Sequence, residues 1–236
     1  MKRIITAARL HLNKPQVVFA SPAQIIGVVL VLSAIIAFAL QRAGNDPSSP
    51  DYVTGARMNF GMAWALPGFL IYYGVQAVAT TFPFALALGV TRRAYVLGTA
   101  LVNLILAAYI TVIMLALLGI ELATGHWFFG LYALDNYAFG AGNPGVLALT
   151  VFLGVFFSTS VGGVFGAVWV RYGSRGPLAL GLGLGLLVVI ALLVLAPQLA
   201  ALVSGITGPG MAIAVALLSL LAVAGTWLTM RHAAVR

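Results

Sequence analysis

Residues 177–195 read PLALGLGLGLLVVIALLVL, without one charged or hydrogen-bonding side chain. A helix rises about 1.5 Å per residue, so a run of this length covers about 28 Å, close to the thickness of a bilayer's hydrocarbon core. No polar face survives at any helical phase, and a helix that is apolar all round belongs in lipid or deep inside a core. Working outward, similar runs occupy about 23–40, 60–88, 96–120, 145–170 and 211–230. The composition agrees: of 236 residues, 62% are hydrophobic and only 7% charged, with a mean hydropathy of +1.11. A soluble domain carries about a quarter of its residues as charges. The reading is an all-α integral membrane protein with six transmembrane helices.

The connections follow from the breaks between these runs. Residues 1–21 are expected to form an amphipathic helix at the membrane surface, with Ile5, Ala8, Leu12 and Phe19 on one side and Lys2, Arg9, Asn13 and Gln16 on the other. Residues 22–236 then make up the transmembrane domain. The apolar run starts too late for a secretory signal, so the N-terminus is expected to be retained. Gln41 to Asn59, with Asn45-Asp46-Pro47-Ser48-Ser49-Pro50, reads as an exposed loop. The second run is longer than a bilayer needs and contains Pro67 and Pro83, which predicts tilt or kinking. Glu121 to Pro144 is polar and aromatic-rich, suited to a membrane interface, and Pro197 to Gly210 reads as an apolar segment broken by Pro and Gly.

Orientation comes from the cations. Lys2, Arg3, Arg9, Lys14, Arg92, Arg93, Arg171, Arg175, Arg231 and Arg236 fall on one side of the six-span scheme, leaving Arg42 and Arg57 on the other. Lysine and arginine concentrate in cytoplasmic segments, so both termini are expected inside. The net charge of +8 is accounted for by these clusters, with no basic face of the kind that binds nucleic acid.

Several chemistries lack their residues. There is no phosphate-binding Gly-x-x-x-x-Gly-Lys-Ser/Thr loop, no His-Glu-x-x-His, no Gly-x-Ser-x-Gly and no cysteine. The three histidines, His11, His126 and His232, lie outside the runs. The expectation is a chain that is not itself an enzyme, holds no metal or cofactor, and draws energy from a partner. An ion-coupled carrier would place ionisable groups at mid-membrane, where none is seen.

Two small patterns remain inside the runs. Gly154, Ser158, Gly162 and Gly166 recur every four residues, as do Gly181 and Gly185. Small residues at this spacing let membrane helices pack closely. Tyr72, Gln76 and Thr80, beside Tyr73 and Thr81, place polar atoms where hydrocarbon offers no partner. They are expected either to join an interhelical hydrogen-bond network or to line a substrate route.

The most distinctive stretch joins the second and third runs: Thr81-Phe82-Pro83-Phe84-Ala85-Leu86-Ala87-Leu88-Gly89-Val90-Thr91-Arg92-Arg93-Ala94-Tyr95-Val96-Leu97-Gly98-Thr99. It resembles the corresponding stretch of permease subunits of bacterial type-2 ATP-binding-cassette (ABC) exporters. There an apolar segment and Leu-Gly-Val-Ser/Thr-Arg-Arg with an aromatic lead into the next span. The resemblance implies that Gly89, Thr91, Arg92, Arg93 and Tyr95 form a coupling element against a separate ATPase subunit. It further implies a bacterial plasma-membrane location, a second permease copy as partner, ATP and magnesium held by the ATPase, and export of an amphiphilic or hydrophobic compound such as an antibiotic, lipid or peptide. The alternatives are a non-transporting scaffold or sensor subunit and an ion-coupled secondary carrier.

Overall fold

In the computed structural model, which describes residues 2–198 and 207–231, the chain is 85% helix, with no strand among the described residues. Helix α1 is Lys2–Leu12 and α2 is Ser21–Arg42, entered through one wide turn at Gln16–Ala20. Helices α3 (Pro50–Arg57), α4 (Gly61–Ala65), α5 (Pro67–Ala79) and α6 (Thr81–Ala87) follow, then α7 (Arg92–Ala123), α8 (Pro144–Tyr172), α9 (Arg175–Leu195) and α10 (Gly208–Met230). Six stretches are long and apolar enough to cross a membrane: Gln16–Arg42, Pro50–Ala87, Arg92–Ala123, Pro144–Tyr172, Arg175–Gln198 and Gly208–Met230. The chain thus has the make-up of a multi-pass membrane protein.

Four local readings meet the structure with different outcomes. The first helix stops at Leu12, and its buried positions are Ala7, Ala8 and His11, whereas Ile5 is exposed. Of the apolar side read from the sequence, Ala8 is thus buried and Leu12 half-buried, so the buried face overlaps that side and extends to Ala7 and His11. Residues 41–59 include α3, whose N-cap Ser49 accepts from the Tyr52 N–H at 3.3 Å and whose first helical residue is Pro50. Serine at N-cap followed by proline at N1 is a helix start rather than a loop signature. The long second span is broken twice, before Pro67 and at Thr80. Pro67 opens a new helix where its missing N–H leaves nothing unpaired, and Pro83 sits in the first turn of α6 for the same reason. Of the broken segment 197–210, residues 199–206 lie outside the described residues. Thr207 caps α10, accepting from the Gly210 N–H at 3.2 Å.

The chain divides into two compact units. One comprises Met1–Leu10, Ile71–Ala100 and Thr159–Arg236. Its core gathers Val78, Phe82, Ala85, Val90, Ala94, Tyr95, Ala167 and Met230, joined by Ala7. Gly98 is where α1 lies on α7: a Cβ there would stand 2.7 Å from that of Ala7. Gly162 of α8 meets α5 equally closely, since an added Cβ would fall 2.2 Å from the Ile71 carbonyl oxygen and 2.9 Å from the Gly74 Cα.

The second unit comprises His11–Leu70 and Leu101–Ser158. Helix α7 buries Val102, Leu106, Ile110, Met114 and Leu118, at steps of four, and α8 buries Leu147, Val151 and Val155 at the same step. Such a stripe keeps one helix face inward over many turns. Tyr109 packs edge-on against Phe19, 5.0 Å between ring centroids, and donates its hydroxyl to the Phe19 carbonyl at 3.2 Å.

Candidate functional site

The α6–α7 turn is built by its own residues. Helix α6 ends in a Schellman motif: the Gly89 N–H donates to the Leu86 carbonyl at 2.9 Å and the Val90 N–H to the Ala85 carbonyl at 3.0 Å. Gly89 has φ +79°, a left-handed conformation natural to glycine. Val90 then turns into the core beside Ala85, which completes the apolar contact typical of this motif. Thr91 caps α7, its hydroxyl accepting the Ala94 N–H at 3.3 Å.

The residues expected to act together at this turn divide into two sets. Gly89, Thr91 and Arg93 are exposed, and so are Phe84 and Leu88, each 58%. Arg92 turns to the end of α10, donating to the carbonyls of Met230 at 2.9 Å and Arg231 at 2.8 Å. Those carbonyls lie at the end of α10, the negative end of the helix dipole, so a guanidinium there caps the helix. Tyr95 is fully buried, its ring 5.2 Å from Phe82 and its hydroxyl donating to the Ala77 carbonyl. Tyr95 is a core residue of this unit and is not at its surface.

The other patterns read from the sequence also resolve. Gln76 donates to the Tyr72 hydroxyl at 3.2 Å and Thr80 to the Gln76 carbonyl at 2.7 Å, so these partners lie along one helix rather than between helices. Tyr73 is buried, with no hydrogen-bond partner for its hydroxyl among the described residues. In the four-residue series, Gly162 and Gly166 touch α5, Ser158 is buried, and Gly154 faces open space.

Sequence reasoning did not single out the cluster at the far end of α7. Glu121, in its last turn, has no exposed surface and accepts the N–H groups of Ala133 at 3.1 Å, Leu134 at 2.9 Å and Asp135 at 3.0 Å, with the Trp127 indole at 3.4 Å. Asp135, also buried, receives Arg57 of α3 and His126 on one oxygen, each at 2.9 Å. Gln41 and Tyr52 hold the carbonyls of Phe129 and Gly130, the latter at 3.1 Å. So anchored, the loop carries three consecutive left-handed residues, His126, Trp127 and Phe128, at φ 61°, 58° and 66°. Each costs about 1–2 kcal/mol, which the buried carboxylates offset. The strained tip leaves Phe128 86% exposed. Scarcity was the available signal: a chain with four acidic residues places Glu121 and Asp135 fourteen apart around His126 and Trp127.

Beside this loop, α2 and α3 border an open cavity of about 650 Å³, lined also by the 44–52 segment. At its rim the Ser48 N–H at 2.9 Å and hydroxyl at 2.7 Å hold the Asp46 carboxyl below the usual carboxylate range. Comparison of the chain with protein-family models, curated proteins and solved structures finds no match.

Proposed function

We propose that this chain is the permease subunit of an ATP-driven exporter, moving an amphiphilic or hydrophobic compound across a bacterial plasma membrane, with the ATP and magnesium bound by a separate ATPase. The observation that carries the reading is the α6–α7 turn. It presents a mixed surface of Phe84, Leu88 and the Arg93 guanidinium, while Arg92, one residue on, grips the end of α10. Apolar side chains beside an exposed arginine are typical of protein contact surfaces. A push on the turn passes to α7 directly and to α10 through the two Arg92 hydrogen bonds. That is the linkage a partner needs to move two spans at once.

Pairing with a second copy is part of the proposal. No residue of α9 is buried, and Gly181 and Gly185, about one turn apart on one face, have no atom nearer than 3.9 Å to an added Cβ. Close helix association in lipid uses such small-residue strips. Both termini are taken to be cytoplasmic, on the same side as the turn.

The test is to express this chain with the products of its neighbouring reading frames, look for a co-purifying ATPase, and measure ATP turnover in proteoliposomes. Arg93→Glu is expected to abolish co-purification while leaving thermal stability unchanged, because its side chain is exposed. Retention of the ATPase by the Arg93→Glu protein would refute docking at this turn. Transport driven by an ion gradient in vesicles holding this chain alone would favour the carrier instead.

A further inference from the structure

We infer that the cavity between α2, α3 and the 130–132 loop binds an amphiphilic organic cation, one with a single positive head and an apolar body. The volume, about 650 Å³, lies within the roughly 300–1,000 Å³ range of pockets that enclose a drug-sized ligand. It is far too large for a bare metal ion. The lining divides by chemistry: Ile36, Leu40 and Leu131 supply an apolar wall, whereas Asp46 and Asp51 bring two carboxylates and Tyr52 an aromatic ring. No lysine, arginine or histidine is among the residues that line it.

The charge balance at this end of the unit is what selects a cation. Arg57, on the same short helix as Asp51, is held by Asp135 at 2.9 Å and lies 5.7 Å over the Tyr132 ring. It therefore neutralises the buried Asp135, while Arg42, the other arginine at this end, lies 5.8 Å over the Phe38 ring, so among the described residues neither lining carboxylate has an ion-pair partner. Asp46 keeps its charge through its bonds from Ser48. A ligand ammonium or phosphonium would gain from both carboxylates and from a tyrosine face. An anionic amphiphile of equal size would meet the same wall and be repelled.

The inference stands apart from the ATPase reading, since binding needs neither nucleotide nor partner. The experiment is equilibrium dialysis of the purified chain in neutral detergent with tetraphenylphosphonium, set against tetraphenylborate, which matches it in size with the opposite charge. Saturable one-to-one binding of the cation alone is expected. Gly55 lines the cavity and has nothing within 4 Å of a Cβ position, so a side chain can be added without a clash. Gly55→Lys should weaken the cation at least about tenfold, the effect of one charge at cavity distance under partial screening. Gly55→Gln, of similar size and neutral, should stay within about threefold of the parent. Asp46→Asn with Asp51→Asn should also cost about tenfold, because asparagine can keep the turn at Ser48.

Equal binding of the two probes would mean simple partition into apolar surface and would overturn the inference. So would equal effects of Gly55→Lys and Gly55→Gln. Displacement of the phosphonium by millimolar calcium would assign the carboxylates to a divalent ion and refute the organic-cation site.

Discussion

Replacing Glu121 by glutamine keeps the side chain's shape and removes its charge, and the geometry says what that costs. One carboxylate oxygen accepts from Ala133 and Asp135, and the other from Leu134 and the Trp127 indole. Glutamine has a single acceptor oxygen, so its amide nitrogen must face one of these donor pairs. Whichever way it turns, at least one backbone N–H among buried residues 133–135 points at another donor. A hydrogen bond to a charged group contributes about 1.5–3 kcal/mol, and a buried donor left without a partner costs about 1–3 kcal/mol. With one oxygen still shared, the loop should lose about 3 kcal/mol of its local stability.

That figure is about a hundredfold in an opening equilibrium. The assay is amide hydrogen exchange in detergent, followed on a peptide covering residues 131–137. Exchange in the Glu121→Gln protein should be about a hundredfold faster, with peptides from the α1 end of the chain unaffected. Exchange within threefold of the parent would refute the claim that this carboxylate holds the loop and its strained tip.

Three further outcomes are expected. Arg92→Gln removes a charged cap from α10 and should lower stability in detergent by about 1–2 kcal/mol, read as a fall in unfolding midpoint. His11 is buried, and burial, with the Lys14 charge second, pushes its imidazole down to about 4. The unfolded chain takes up a proton near pH 6.5 and the folded chain does not, so stability is present above pH 6.5 and falls as pH drops toward 4. The loss between pH 7 and 5 should be about 2 kcal/mol, and His11→Leu should flatten it. Gly162→Ala puts a methyl against the backbone of α5, so the helices must separate at a cost of about 2–3 kcal/mol, whereas Gly154→Ala meets open space and should be neutral or stabilising. Thermal unfolding of the two alanine variants side by side checks this.

The six spans were legible because their signal is one of length and composition, which no tertiary contact alters. Helix α3 was hidden because Pro and Ser within eight residues read as turn punctuation, although Ser49-Pro50 is also how a helix begins. Gly154 and Gly162 show the limit of spacing: both belong to the same four-residue series, yet only Gly162 meets another backbone. Spacing says that residues share a face, and only the neighbour's path says where that face is touched. The Glu121 cluster was hard to read for a related reason: apart from the Trp127 indole its partners are backbone N–H groups, which leave no trace in residue identity, so only the scarcity of acidic residues pointed to it.

Helix phase accounts for the different fates of two adjacent arginines. As letters, Arg92 and Arg93 are equivalent, but once α7 begins at Arg92 they point about 100° apart around its axis. Tyr95 follows Arg92 by three positions and Thr99 by seven, so the three share a face, and that face is the buried one. Arg92 can lie there because its cation ends on two carbonyls at the end of α10, which a lysine's single ammonium would meet with less defined geometry. Arg93 falls on the exposed side. Damage at position 92 should therefore appear first as lost stability, and damage at 93 as lost partner binding with the fold intact. A motif read as one docking unit thus separates into an arginine that clamps the end of α10 and one left exposed, and the two variants can be scored independently.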